Sequence, residues 1–225
     1  ETSGGDCAGS YALNYACPFV PYPLPPIGKV RSGLQTLTRF PVSGARRVAL
    51  PCPFRWPVST ANLKRCLLVN NIPLADASAQ LVLVNLHLEA YDGGEGKAAQ
   101  TEMLLDFLTG EYEKGNYVIA GGDFNQTFPG ALEAFPIRTE DLWTPGVLEA
   151  ALLPQGWQFA CDLGTPSCRL LNQAYDPAAA DTQFYVIDGF LLSPNVRLEA
   201  VETLDGRFAW TDHNPVRLEV TLEEG

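Results

Sequence analysis

Apolar and polar positions alternate with a period of two over Leu34–Phe40, and Leu and Val crowd Arg65–Ile72 and Gln80–Leu88. The turn-forming stretch Pro73–Ala79 separates the last two. These segments read as β-strands. The period changes over Glu95–Tyr112. There Ala99, Met103, Leu104, Phe107 and Leu108 fall on one helical face, and Lys97, Glu102, Asp106 and Glu113 are expected to face water. Tyr117–Gly121 is a short apolar strand ending in a Gly121-Gly122 pair. Thr144-Pro145 carries the signature of a helix start, with Pro154 closing that helix. Phe184–Ser193 and Pro215–Thr221 read as two further strands. Strands and helices alternate through the middle of the chain, which gives an α/β class with mixed sheets.

The two ends of the pattern are different. Glu1–Gly9 is small and polar and is expected to fray. Phe19–Pro26 reads FVPYPLPP, which favours an extended polyproline-type segment over a helix or central strand. Residues 1–26 are thus expected to lead, extended and proline-rich, into a single domain spanning 1–225.

Composition agrees with a packed domain. Of 225 residues 46% are hydrophobic and 18% charged, enough apolar material for a core and too much for wholesale disorder. Eighteen prolines and twenty glycines argue against a helical bundle. No run approaches the roughly 18 apolar residues that a membrane-spanning helix requires.

The net charge of −11 disfavours nonspecific, charge-driven binding of nucleic acid by the whole surface. The charge is unevenly placed. Ile27–Cys66 holds Lys29, Arg31, Arg39, Arg46, Arg47, Arg55, Lys64 and Arg65 with no acidic residue, leaving 7 basic against 26 acidic residues elsewhere. Such a tract suits either a local anionic partner or a row of solvated strand ends.

Six cysteines stand at 7, 17, 52, 66, 161 and 168, with no CxxC pair and no Cys/His cluster. Structural zinc is therefore not expected. Disulfides and buried free thiols both remain open, Cys161–Cys168 being the nearest local pair. The acidic, lysine-poor composition and the absent initiator Met lead to an expectation of export or of a membrane-surface location.

Candidate chemistry starts from the two histidines. His87 stands near a strand end in VNLHL, and His213 follows Asp212 in TDHNP, just before the last strand. Gly121-Gly122-Asp123-Phe124-Asn125 delivers Asp123 and Asn125 at the end of an apolar strand, where period-two geometry would point both the same way. A carboxylate beside an amide can serve a divalent cation and a phosphoryl oxygen. Asp188 interrupts the apolar strand YVIDGFLL. A buried carboxylate needs a partner, and a histidine fixed in one tautomer is the natural one.

In this order NLHLEA, GGDFN, VIDGFLLS and TDHNPV resemble successive signatures of the endonuclease/exonuclease/phosphatase superfamily, preceded by SGLQTLTRFPV, which is similar to its glycine-led strand. The resemblance covers roughly Ser32 to Val220. It implies the deoxyribonuclease I-like fold, a four-layer α/β sandwich of two mixed β-sheets flanked by helices. It further implies phosphoester hydrolysis with Mg²⁺ or Mn²⁺, on nucleic acid, phospholipid or nucleotide. Carried onto this sequence, Asp123 would orient the attacking water or a metal that activates it, and Asn125 would hold a phosphate oxygen. Asp212 would ligate the metal. His213, oriented by Asp188, would move a proton or stabilise the transition state. His87 would hydrogen-bond the phosphate.

Two departures stand out. The family's opening strand–helix–strand unit, which carries its metal-binding Glu, is not found, so the fold is expected to be N-terminally incomplete. Glu89, Asp92 and Glu95 are the available substitutes, and an exposed sheet edge favouring self-association is expected. The chain is then either part of a longer enzyme, an inactive binding module on the same scaffold, or an enzyme with a replaced ligand. Gly189 stands where the family often has an aromatic residue.

Overall fold

The computed structural model describes residues 7–20, 24–56, 59, 64–75, 79–138 and 142–223. The chain divides into two compact units, Glu1–Ala120 and Gly121–Gly225.

The first unit begins with β1 (Ala8–Val20) and β2 (Gly28–Thr38), an antiparallel ribbon. There follow β3 (Gly44–Ala49), β4 (Cys66–Pro73), β5 (Gln80–His87), α1 (Glu95–Tyr112) and β6 (Tyr117–Asp123). The sheet runs β3-β4-β5-β6, with antiparallel β3/β4 and β4/β5 pairs. β4 is apolar on both faces because both are covered. Cys66 and Leu68 pack with Ala12 and Leu34 of the ribbon. On the other face Arg46, the cross-strand partner of Val69, reaches Glu111 of α1 at 2.6 Å and lies over the Phe107 ring. Each fully buried Leu or Val here contributes roughly 1.5–3 kcal/mol.

The helix agrees with the 3.6-residue pattern to its ends. Asp92 starts it by accepting the amides of Gly94, Gly96 and Lys97. Glu113 and the left-handed Gly115 stop it. One expectation fails. Lys97 is buried, not in water, because its ammonium bonds the Ala90 carbonyl at 3.0 Å and Asp92 at 3.3 Å.

β1 was not legible as a strand. Its inward positions are the small Ala12 and the polar Asn14, whose Oδ1 accepts the Cys66 thiol at 2.9 Å. The expected fray thus ends by Ala8, and the extended lead-in is β1 as far as Val20; residues 1–6 and 21–23 lie outside the described residues. The basic tract is partly committed within the unit. Arg46 pairs with Glu111, Arg47 donates to the Leu13 and Lys64 carbonyls, and Arg65 is buried beside Glu89.

In the second unit the end of β6 neighbours β12 (Asp188–Leu192), and β12 pairs antiparallel with β9 (Gln158–Ala160). Short pairs surround this core: β7 (Gln126–Thr127) with β8 (Gly146–Val147), and β10 (Cys168–Arg169) with β11 (Phe184–Tyr185). α2 (Ala131–Ala134) is a single turn, and β13 (Val196–Thr203) pairs antiparallel with β14 (Val216–Leu222). Phe124, Phe128 and Phe159 stack edge-to-face at 5.1 and 5.6 Å in the core.

Two sequence expectations give way here. The segment from Thr144 to Pro154 is not a helix. Gly146–Val147 pairs with β7, and only Ala150–Leu152 forms a 3₁₀ turn, so a nonlocal strand pairing overrides a local start signal. The strand expected over Phe184–Ser193 is split between β11 and β12, because the Ile187 and Asp188 amides donate to the Ser167 side chain instead of a neighbouring strand. All six cysteines are free thiols, so Cys161 and Cys168 form no local bridge. Among the described residues no helix is long and apolar enough to cross a membrane.

Candidate active site

β6 ends in a polar turn whose geometry depends on its glycines. A Cβ at Gly121 would strike the Phe190 ring, so the β6/β12 approach requires glycine there. Asn125 is not in extended register with Asp123. It takes a left-handed φ of 50°, which Asn tolerates better than most residues. The turn brings its backbone N–H to Asp123 Oδ1 at 2.8 Å and its Nδ2 to Oδ2 at 3.3 Å. Asp123 and Asn125 are therefore neighbours through a turn, not through period-two alternation.

The second half of the site comes from two segments that meet in an antiparallel bridge, Cys168 opposite His213. Asn214 N donates to the Ser167 carbonyl at 2.7 Å and Arg169 N to the Asp212 carbonyl at 3.0 Å. Buried Asn214 reinforces the bend, with Nδ2 on the Pro166 carbonyl and Oδ1 accepting from Gly206 N. His213 Nδ1 lies 2.8 Å from Asp188 Oδ2, and Nε2 lies 3.4 Å from Cys168 Sγ. Ser167 Oγ donates to the same Asp188 oxygen at 2.8 Å.

Burial works against a charged His213 ring, but the hydrogen bonds and charges of Asp188 and Cys168 outweigh it and its pKa is pushed up to about 12. Burial first, and then the Asp188 and Asp123 carboxylates, push the Cys168 thiol up to about 11 against the opposing effect of His213. At neutral pH Cys168 is thus a thiol. A value as high as that of His213 favours the protonated ring, whose Nδ1–H would lie on Asp188 and whose Nε2–H would face the sulfur. Such a group can donate a proton or stabilise negative charge.

Asp123, Asp188 and His213 each offer an atom within 4.8 Å of the others, a group able to hold a metal ion. The donors fit a hard divalent cation in part. Two carboxylates suit Mg²⁺ or Mn²⁺, which keep several waters. His213 fits only through Nε2, as a neutral ring that keeps Nδ1–H on Asp188, and Nε2 is turned to Cys168 Sγ at 3.4 Å.

Asp123, Asn125, Asp188 and His213 are thus brought together within the second unit. Asp212 adjoins His213, its carboxylate 3.4 Å from Thr211 Oγ1, and is not one of the three-residue group. His87 is the half-buried last residue of β5 in the first unit. The substitute carboxylates have other work. Glu89 caps the amides of Ala90 and Tyr91 beside Arg65, and Asp92 caps α1. Glu95 is the acidic residue of the first turn of α1. Sequence reasoning missed Ser167, Cys168 and Asn214, for which the one available signal was that a buried Asp188 needs donors.

No family model and no curated protein matches the sequence. Solved structures do. An endonuclease/exonuclease/phosphatase from Beutenbergia cavernae is 19% identical with a TM-score of 0.61, over 96% of this chain and 53% of that one. The human Nocturnin catalytic domain, solved with a bound sulfate anion, is 16% identical with a TM-score of 0.58, over 96% and 72%. ANGEL2, a 2',3'-cyclic phosphatase in complex with adenosine-2',3'-vanadate, is 15% identical with a TM-score of 0.59, over 97% and 75%. The chain spans about half the length of the first of these. The fold is that of the endonuclease/exonuclease/phosphatase proteins, the DNase I-like fold.

Proposed function

We propose, on the premise of an endonuclease/exonuclease/phosphatase fold, that the chain carries the site of a divalent-metal-dependent phosphoester hydrolase. The observation that supports this most is the Asp188–His213 pair standing with Asp123 in one group. The substrate class is a phosphate monoester or diester of nucleic acid, phospholipid or nucleotide.

In-line displacement at phosphorus needs an oriented water, donors for the phosphoryl oxygens and a proton for the leaving oxygen. Asp123 orients the water. Its carboxylate is fixed by two bonds from Asn125, and a carboxylate has lone pairs enough to accept a water proton as well. Asn125 Nδ2 carries two amide protons, and its bond to Asp123 is long, so the amide can also serve a phosphoryl oxygen. His213, cationic and aligned by Asp188, offsets the growing negative charge and supplies a proton. Asp123 and Asp212 would hold a bound Mg²⁺ or Mn²⁺, which would supply Lewis acidity at the phosphoryl oxygen.

The test is nitrophenol release from bis(p-nitrophenyl) phosphate with Mg²⁺ or Mn²⁺. Turnover abolished by EDTA and by Asp123→Ala supports the reading. Normal turnover in both Asp123→Ala and His213→Ala removes it.

A second reading, a noncatalytic binding module, is favoured by one contact: His213 Nε2 is turned to Cys168 Sγ. Calorimetry with Mn²⁺ separates the two. Binding weakened by Asp212→Ala supports the enzyme, and no heat supports the module.

A further inference from the structure

We infer that Ser167 is a positioning residue that sets the orientation of the Asp188–His213 pair, a role that rests on the reading of that pair as catalytic. Ser167 is fully buried and makes no contact that needs a substrate. A hydroxyl has one proton and two acceptor sites. Both acceptor sites of Ser167 Oγ are used, by Ile187 N and Asp188 N at 3.0 Å each. Its only proton then has one destination, Asp188 Oδ2 at 2.8 Å. The direction of that bond is fixed by saturation, not by choice of rotamer.

The backbone of the same residue ties the two halves of the pair. Ser167 N donates to the Tyr185 carbonyl at 2.9 Å, on the chain leading to Asp188. Its carbonyl accepts Asn214 N at 2.7 Å, on the chain leaving His213. One residue thus holds the segment of Asp188 and the segment of His213. Its neighbour Cys168, the first residue of β10, meets His213 Nε2, so consecutive side chains touch both members. Ser167 Oγ and His213 Nδ1 both meet Oδ2, at 2.8 Å each, so the carboxylate is held from two sides and the imidazole ring is aligned on it.

The experiment reads the ring directly. ¹⁵N-resolved proton NMR of the metal-free protein follows the His213 Nδ1–H signal, which a short bond to carboxylate protects from exchange. The signal is expected in the wild type. It is lost, or broadened at least tenfold, in Ser167→Ala and in Ser167→Cys, which fills the same space with a weak donor. Ser167→Thr, which keeps the hydroxyl, restores it. An unchanged signal in folded Ser167→Ala and Ser167→Cys overturns the inference, as does its absence from the wild type. Ser167→Cys keeps the test decisive where Ser167→Ala fails to fold.

The kinetic arm uses bis(p-nitrophenyl) phosphate with Mn²⁺. Ser167→Ala lowers kcat about 10- to 100-fold with KM nearly unchanged, and Ser167→Thr recovers most of it. A rise in KM alone overturns the positioning role. No turnover by the wild type, with the NMR pattern as expected, defeats the hydrolase reading and leaves Ser167 as the residue that orients the pair.

Discussion

Asp188 Oδ2 and His213 Nδ1 stand 2.8 Å apart, and the pair joins β12 to the loop ahead of β14. Its consequence for stability has a definite sign. The folded-state pKa of His213 is pushed up to about 12, above the ordinary histidine value of 6.5. A group raised on folding stabilises fully below its unfolded pKa and loses that contribution as pH rises through the folded one. The pair should therefore stabilise most below about pH 6.5 and less at each step toward pH 12. Urea unfolding of the metal-free protein and of His213→Gln at several pH values checks this. The gap between them should shrink steadily from pH 6 to 10. A gap that widens with pH contradicts a protonated ring.

Glu89 and Arg65 form a second ionic pair, in the first unit, and it is structural. Both side chains are almost completely buried, with Arg65 Nε 3.9 Å from Glu89 Oε2. Glu89 Oε1 also takes the amides of Ala90 and Tyr91 at 3.0 Å, and Gln100 Oε1 accepts Glu89 N. Removing one buried charge strands the other. Glu89→Gln, which keeps shape and loses charge, should cost about 3–5 kcal/mol in urea unfolding. Arg65→Met combined with Glu89→Leu should cost less than either single change. A Glu89→Gln protein as stable as the wild type would mean that the pair contributes no net charge interaction.

The degree to which sequence announced these features follows from where the information lies. α1 was legible because the spacing of Ala99, Met103, Leu104, Phe107 and Leu108 is a local signal. β4 and β5 were legible because they are hydrophobic on the faces they bury. β1 was not, since Ala12 and Asn14 occupy its inner face and hide the alternation. The false helix at Thr144 arose from a correct local cue overruled by the pairing of β8 with β7. In the site, Asp123, Asn125, Asp188 and His213 were visible as polar residues interrupting or ending apolar strands. Ser167 and Cys168 were not, because a small residue before a two-residue strand and the first residue of that strand carry no period. Their importance comes only from the bridge to His213.

Asp92 should govern the start of α1. Its Oδ2 accepts the amides of Gly94, Gly96 and Lys97, and Oδ1 faces the buried Lys97 ammonium at 3.3 Å. Burial alone would raise its pKa, but the amide bonds and the Lys97 charge hold it below the ordinary value of 3.8. The sign is opposite to that of His213. This contribution is present above pH 3.8 and is lost as pH falls through the lower folded value. Asp92→Ala should lose about 1–2 kcal/mol at neutral pH, comparable to a strong helix cap. The difference from the wild type should close in strong acid. A constant difference at all pH values would mean that packing, not charge, holds this turn.

Gly189 tests how tightly the site is built into β12. A Cβ at this position would sit 2.8 Å from the Ala160 carbonyl oxygen and 2.8 Å from the Phe128 ring. Real Cβ contacts are almost never that short, and neither neighbour is free to yield. Ala160 is paired with Phe190 in the β9/β12 ladder, and Phe128 is wedged between Phe124 and Phe159. Glycine at 189 is thus a packing requirement, and the space leaves no room for the aromatic residue that the family resemblance would put there. Gly189→Ala should destabilise by about 1–3 kcal/mol, the range for overpacking a filled core. Because Asp188 is the preceding residue, the strain should also reach the His213 bond. The measurement is paired: the urea midpoint for stability, and the His213 Nδ1–H signal for geometry. Loss of stability with an intact signal would show that β12 absorbs the strain away from Asp188. Loss of neither would mean that Phe128 and Ala160 can move apart, and that the core here is looser than its contacts indicate.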